Sequence, residues 1–373
     1  MSSHSLRPTW AEVNLENFKE NILTSARLAP GAGVMPVVKA NAYGIGAVEA
    51  SRAALSLPVV KGLAVATPDE AVQLRDAGIT AMVLVLGPLT AEATRAMVER
   101  DISFAVTSLE GLRDAEAAGA ALGRRARVHV KVETGMGRVG MPPGPELGAA
   151  LAELASLQNV EAEGMFTHFS VADVDRGYTV RQMEAFEEAL RQAQEAGVRP
   201  KYRHAANSAA IMDFPRAHLD LVRPGIMIYG SYPDESLSGK AVLKPVLSLV
   251  SHVSHVKRLP AGYSVGYGRT YHTTRETNIV TVPVGYADGY PRLCSNRGFM
   301  LLHGKRFPIA GRVCMDQTML DVGDEQVKRG DRVTLIGADG DSVVTVDEVA
   351  ALSGTIAHEV LTGLTARVPR IYM

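Results

Sequence analysis

Lys39 ends the apolar run VMPVVK (34–39) and is followed at once by the turn-rich segment ANAYGIG (40–46). An ammonium at the end of a buried strand is costly unless it reaches water, loses its proton or gains a covalent partner. Snorkelling into solvent meets the first condition; an amine that works as a nucleophile meets the others. Further groups able to do chemistry recur along the chain after similar runs. Lys131 lies late in ARVHVKV (126–132), with Glu133 and Arg138 behind it, and His168 follows EAEGMF (161–166). His204, Asn207 and Ser208 stand in HAANSAA (204–210), and Arg223, Pro224 and Gly225 in VRPGIMIYG (222–230). Each alone reads as a polar loop residue. Together they offer an amine, an imidazole pair, guanidinium groups, and a hydroxyl beside glycine-based N–H donors.

Positioning such a set takes a scaffold whose strand ends meet. Short apolar strands are expected at 34–39, 62–66, 81–86, 102–106, 126–132, 161–166, 201–205 and 218–222. Amphipathic helical stretches lie between them, at 68–78, 90–100, 109–123 and 180–197, with Gly78, Gly123 and Gly197 where helix C-caps belong. An earlier helix over 16–29 is capped by Asn14. Alternation of strand and helix implies parallel βαβ units, and eight strands favour a closed (β/α)₈ TIM barrel over an open doubly wound sheet. In such a barrel the functional face lies at the carboxyl ends of the strands, where the groups above fall. The loops after strands seven and eight commonly bind phosphate. A phosphate at one end and a lysine at the other suit pyridoxal 5'-phosphate, whose aldehyde forms a Schiff base with lysine. Arg223 then stands where the pyridine nitrogen would be met.

Beyond residue 240 short β-rich runs dominate, at 241–257, 277–287, 298–311, 317–323 and 331–338, with helical texture returning only from 344. The expected domains are therefore a barrel over 1–235 and a β-rich domain over 236–373, the first strand near 8–15 being free to pack with the latter. The 373 residues carry 39 basic and 40 acidic side chains, which gives no field for nucleic acid. No apolar run approaches the ~20 residues of a membrane span, and MSSHSLRPTW lacks the apolar centre of a signal peptide, so a cytoplasmic location is expected. Cys294 and Cys314 have no metal-ligand spacing, and no metal is expected. GMGRVG (135–140) matches a dinucleotide fingerprint, but Pro142, Pro143 and Pro145 follow where that motif needs an opening helix.

RPTWAEVNL, VVKANAYGIG, KVETGMGRVG, GMFTHFSVAD, HAANSAA, LVRPGIMIYG, VGYGRTY, VPVGYADGYPR and GRVCMDQ occur in this order, and the chain resembles the alanine racemases that depend on pyridoxal phosphate. The resemblance implies a barrel, a C-terminal β domain and a homodimer whose active sites combine both subunits. It also implies interconversion of L- and D-alanine, a small amino-acid substrate, by a two-base mechanism that supplies D-alanine for peptidoglycan. By motif, Lys39 corresponds to the Schiff-base lysine and the base toward D-alanine, and Tyr267, from the partner subunit, to the base toward L-alanine. Arg138 and the Met315 backbone match the substrate-carboxylate site, with Asp316 beside it. Tyr43, Ser208, Gly225 and Ile226 match phosphate contacts, His168 packs against the ring, and Asn207 lies near it. Arg223 matches the partner of the ring nitrogen, supported by His204, and Lys131 holds the position often carbamylated to orient Arg138. One position departs: the family's phosphate-binding tyrosine is His358 in AHEV (357–360). That change opens a second reading, a broader alanine and serine racemase. Rival classes are a non-catalytic barrel that binds pyridoxal phosphate and a barrel decarboxylase, whose reactive cysteine and acidic ring-nitrogen partner are not matched.

Overall fold

The computed structural model describes residues 6–373; part of the amino-terminal reading, MSSHS, lies outside the described residues. The chain divides into two compact units. One comprises Phe18–Ala42 and Ala47–Lys244; the other runs to Asn17 and resumes over Tyr43–Gly46 and Pro245–Met373. β1 (Thr9–Val13) belongs to the latter.

The first unit is built on β2 (Gly33–Val34), β3 (Leu63–Val65), β4 (Val83–Val85), β5 (Ser103–Val106), β6 (Ala126–Lys131), β7 (Val160–Phe166), β8 (Tyr202–His204) and β9 (Leu221–Val222). β3 to β8 form one parallel sheet in sequence order, and β2 pairs with β9 in parallel. Parallel bridges Val34↔Val60 and Val37↔Ala64 join β2 to the start of that sheet. Asp220 N–H donates to the Arg203 carbonyl at 3.1 Å and Arg223 N–H to that of Ala206 at 3.0 Å, which joins its other end to β9. The ring of eight parallel strands is the barrel the βα period predicts. β3, β4 and β5 are buried throughout, as expected of strands covered on both faces.

Side-chain caps set the helix starts. Thr67 and Glu70 make a capping box at the head of Pro68–Asp76, and Thr90, Ser108 and Asp175 cap the helices that follow them. The Asp175 cap starts the Arg176–Glu195 helix earlier than the expected 180. Gly78, Gly123 and Gly197 have φ of +82°, +61° and +79°, the left-handed geometry that ends a helix cheaply only at glycine. The expected strand over 34–39 is corrected: regular pairing stops at Val34, because Pro36 has no N–H to give. Val37 and Val38 continue the ladder singly, donating to Pro224 and Ala64 carbonyls at 3.0 and 2.8 Å.

The second unit holds β10 (Leu247–His252), β11 (His255–Leu259), β12 (Ser264–Val265), β13 (Tyr271–His272), β14 (Thr277–Val282), β15 (Phe299–Leu302), β16 (Lys305–Pro308), β17 (Thr318–Gly323), β18 (Arg332–Asp339), β19 (Ser342–Val344) and β20 (Arg370–Tyr372). Its main sheet runs β16-β15-β18-β10-β1-β20, with β19 on β18, and β11-β14-β17 form a second, antiparallel sheet. Leu259, Val265, Ile279, Ala310 and Met319 make a compact apolar cluster between β11, β12, β14 and β17.

Candidate active site

Lys39 does not lie on a strand. It begins a turn in which Ala40, Asn41, Ala42 and Tyr43 all have positive φ, between 49° and 55°. Four successive non-glycine residues in left-handed geometry are strained by roughly 1–2 kcal/mol each, so neighbours must hold them. Ala40 N–H donates to Glu70 Oε1 at 2.6 Å, Ala42 N–H to the Val38 carbonyl at 2.8 Å, and Ala47 N–H to Asn41 Oδ1 at 2.9 Å. Glu70 Oε2 meanwhile accepts from the N–H of Ala66 and Thr67. The helix-capping carboxylate after β3 thus also anchors the lysine turn after β2.

The barrel mouth collects cations. Burial lowers the Lys39 pKa, the Arg138 guanidinium lowers it further, and Glu70 opposes them. Lys131 is pushed down to about 8, first by burial, with Arg223 and Arg138 adding to the shift against Glu133. His168 falls well below the ordinary imidazole range through burial and then through Arg223, Arg138, Lys131 and Lys39. These mutual influences mean that the expected groups converge. Two carboxylates lie near, and both are engaged by backbone amides. Glu70 holds backbone amides, and Glu133 accepts from the N–H of Gly135, Met136 and Arg138 at 2.5, 2.6 and 3.3 Å. The same wrapping accounts for the GMGRVG decoy: its amides circle a carboxylate of their own, and helix begins only at Pro145.

After β8 and β9 the loops bring a second set of polar groups together. Ser208 Oγ accepts from the N–H of Gly225 at 2.9 Å and of Met227 at 3.4 Å, and Asn207 caps the Ser208–Asp213 turn through Ala210 N–H. Ile226 is buried between those two donors. Arg223 is buried and makes three hydrogen bonds, to His204 Nδ1 at 2.8 Å and to the carbonyls of Thr167 and Ala205 at 2.7 and 3.2 Å. A guanidinium has five N–H donors, so two stay available.

Five expected residues belong to the second unit. Tyr43 is buried, which raises its phenol to about 12, and its ring lies 5.6 Å from that of His358 at 46°. The Tyr43–Gly46 segment is clamped there, since Arg370 Nε donates to the Gly44 carbonyl at 2.8 Å and a Cβ at Gly44 would meet the Leu361 carbonyl at 2.3 Å. Tyr267 is 71% exposed on a turn between Gly266 and Gly268, both at positive φ. Met315 is 53% exposed, and Asp316 pairs with Arg367 at 2.8 Å.

Sequence reasoning missed His129, Glu163, Ser103 and Glu70. His204 Nε2 lies 2.8 Å from His129 Nδ1, whose ring contacts Glu163 Oε2 through Nε2 at 3.2 Å, and Ser103 Oγ also meets Glu163 Oε2. The signal was present: His129 stands two positions before Lys131, so both point to one face of β6.

Comparison with known proteins places these features in context. The profile of the alanine racemase N-terminal domain matches residues 13–233, and that of the alanine racemase C-terminal domain matches residues 246–372. An alanine racemase of Carboxydothermus hydrogenoformans is 48% identical over 377 residues, covering 99% of this chain and 100% of the relative. One from Methanococcus maripaludis is 43% identical, with 100% of both chains covered. The crystal structure of the enzyme from Streptomyces lavendulae superposes with a TM-score of 0.94 at 37% identity, covering 99% of this chain and 98% of that one.

Proposed function

This chain belongs to the alanine racemase family, and from that premise we propose that its barrel mouth holds pyridoxal 5'-phosphate and that Lys39 and Tyr267 are the two acid–base groups of the reaction. The activity itself, interconversion of L- and D-alanine, follows from full-length relatedness to alanine racemases. The observation that carries the rest is the gathering of four cations, Lys39, Lys131, Arg138 and Arg223, of which Lys131 and Arg223 are buried, against two carboxylates, Glu70 and Glu133. Such a cation excess calls for anions, and the donor set suits a ligand that brings a phosphate together with a substrate carboxylate. The Ser208 hydroxyl, whose oxygen accepts from the N–H groups of Gly225 and Met227, keeps its own O–H to give, which suits the loop of Ser208, Gly225 and Ile226 to the phosphate. Tyr43, kept neutral by burial, suits it as an O–H donor.

When bound, the cofactor draws electrons from the substrate Cα and so weakens its bond to hydrogen. Lys39 would hold the cofactor through Nζ, and its depressed pKa favours the neutral amine that can take a proton. Racemisation needs a second group able to return a proton to the opposite face, a role assigned to the Tyr267 phenol. Its exposure suits a group that completes the site of a partner copy, in line with a homodimer. Arg138 makes no ion pair with any described residue and would bind the substrate carboxylate alongside the Met315 backbone. Arg223, which does not readily surrender a proton, would hold the cofactor at its ring nitrogen as a hydrogen-bond donor, an arrangement that would leave that nitrogen unprotonated and temper the electron withdrawal the cofactor supplies.

Racemase assays from both alanine enantiomers test this, with Lys39→Ala and Tyr267→Phe variants. Lys39→Ala should lose the cofactor's absorbance together with activity. Tyr267→Phe should depress the L-to-D proton abstraction, read as loss of solvent-deuterium exchange at L-alanine, by at least ~100-fold. A Tyr267→Phe enzyme that exchanges both enantiomers normally overturns the two-base assignment. Among the described residues no helix is long and apolar enough to cross a membrane.

A further inference from the structure

Behind Arg223 lies a line of side chains, His204, His129, Glu163 and Ser103, that no step above uses. Arg223 and these four are 4%, 0%, 0%, 6% and 0% exposed, so the line is cut off from solvent. Arginine offers only donors, so the 2.8 Å contact from Arg223 obliges His204 Nδ1 to be the acceptor. The proton of His204 must then sit on Nε2, where it points at His129 Nδ1 at 2.8 Å. His129 in turn carries its proton on Nε2, which faces Glu163 Oε2 at 3.2 Å. One end therefore sets the direction of every bond, and the other end is a carboxylate.

Packing holds the rings in that order. His204 stacks on Phe166 with 4.9 Å between centroids and 3° between planes, and meets His129 edge-on at 68°. Gly164 leaves the room for His129, because a Cβ there would stand 2.1 Å from Nδ1. Burial keeps both imidazoles neutral. Burial also raises the Glu163 carboxyl, but bonds from His129 and Ser103 outweigh it and keep the group anionic. Arg127, whose charge reaches both His129 and Glu163, is itself paired with Asp101 at 2.8 Å.

We propose that Glu163 is a positioning residue for Arg223, acting through His129 and His204 to fix their tautomers and to hold the guanidinium charged and oriented. Bonds in a chain polarise one another in a low dielectric, so a carboxylate two rings away strengthens the demand of His204 on the Arg223 proton. The anion also supplies a counter-charge that a buried guanidinium otherwise lacks. The inference rests on the proposed role of Arg223 at the cofactor ring, and its test separates the two.

The test uses full-length protein labelled with [15N]histidine, read through its far-downfield imidazole N–H resonances with the cofactor removed and restored. Wild type should show two protected protons, each on Nε2, in both states. Glu163→Gln, which keeps the shape and loses the charge, should move the His129 signal and also the His204 signal, by about 0.5 ppm or more, although His204 does not touch residue 163. Ser103→Ala should shift both in the same sense by less. In the holoenzyme, Glu163→Gln should lower kcat by about tenfold equally in both directions, with KM little changed, because Arg223 serves both directions. An Nδ1-protonated His204 in wild type, or a His204 signal indifferent to Glu163→Gln, overturns the proposal whatever the cofactor does. Intact signals in a protein that takes up no pyridoxal phosphate overturn the cofactor reading and leave the relay standing.

Discussion

Replacing Ala40 by glycine should stabilise this protein, opposite to the effect of that change in an ordinary helix. In a right-handed helix, alanine to glycine costs about 1 kcal/mol. Ala40 instead has φ +52° and starts a left-handed turn, where Cβ crowding costs roughly 1–2 kcal/mol. It is exposed, so losing the methyl group removes no packing, and its bond to Glu70 comes from the main-chain N–H, which glycine keeps. Against the relief stands the greater freedom of glycine in the unfolded chain, roughly 0.5–1 kcal/mol. The net gain is about 0.5–1 kcal/mol, or about 1–4 °C in Tm for a unit of this size. Ala40→Val is the counterpart, since a β-branched side chain at positive φ worsens the crowding and should lower Tm by at least ~2 °C. Differential scanning calorimetry of the holoenzyme compares the three proteins. A Tm that falls for Ala40→Gly and holds for Ala40→Val would mean that the turn is not left-handed under strain, and the account of how Lys39 is presented would go with it.

Two further outcomes follow from the same site. With its amine pushed down to about 8, against an ordinary 10.5, Lys131 is roughly one-quarter neutral at pH 7.5, where an unperturbed lysine is neutral in about one molecule per thousand. The neutral fraction rises with pH, so [13C]bicarbonate should give a carbamate resonance that grows from pH 7 to 8.5 and is missing in Lys131→Ala; a wild-type spectrum blank at pH 8.5 refutes carbamylation. His358 packs against Tyr43, and His358→Tyr should return bulk to that position and reduce kcat/KM for serine relative to alanine by about tenfold. An unchanged serine-to-alanine ratio removes the case for the broader specificity.

How far the sequence reveals the site depends on which physical constraint each residue obeys. The barrel was readable because strands buried on both faces must be continuously apolar and helices must be capped, and both demands leave local marks, such as the Thr67–Glu70 box and the glycines at 78, 123 and 197. Lys39 and Arg223 stood out because a charge beside buried strand needs a reason. The turn after Lys39 was legible as a turn but not in its geometry, since Asn41 alone of ANAY favours the left-handed region and alanine and tyrosine do not. Its conformation is imposed from outside, by Glu70 on one side of the motif and by the clamp on Gly44 at the other. The line from Arg223 to Glu163 was hidden for a different reason. Its members come from β5, β6, β7, β8 and the residue just after β9, each ordinary in its own place, and they become a set only when the ring closes. Alternation alone places His129 on the face of Lys131, but only closure brings His204 within bonding distance. Once closed, chemistry decides the rest: the donor-only guanidinium fixes the direction, so the line must end on an acceptor, and Glu163 supplies one that also brings a negative charge.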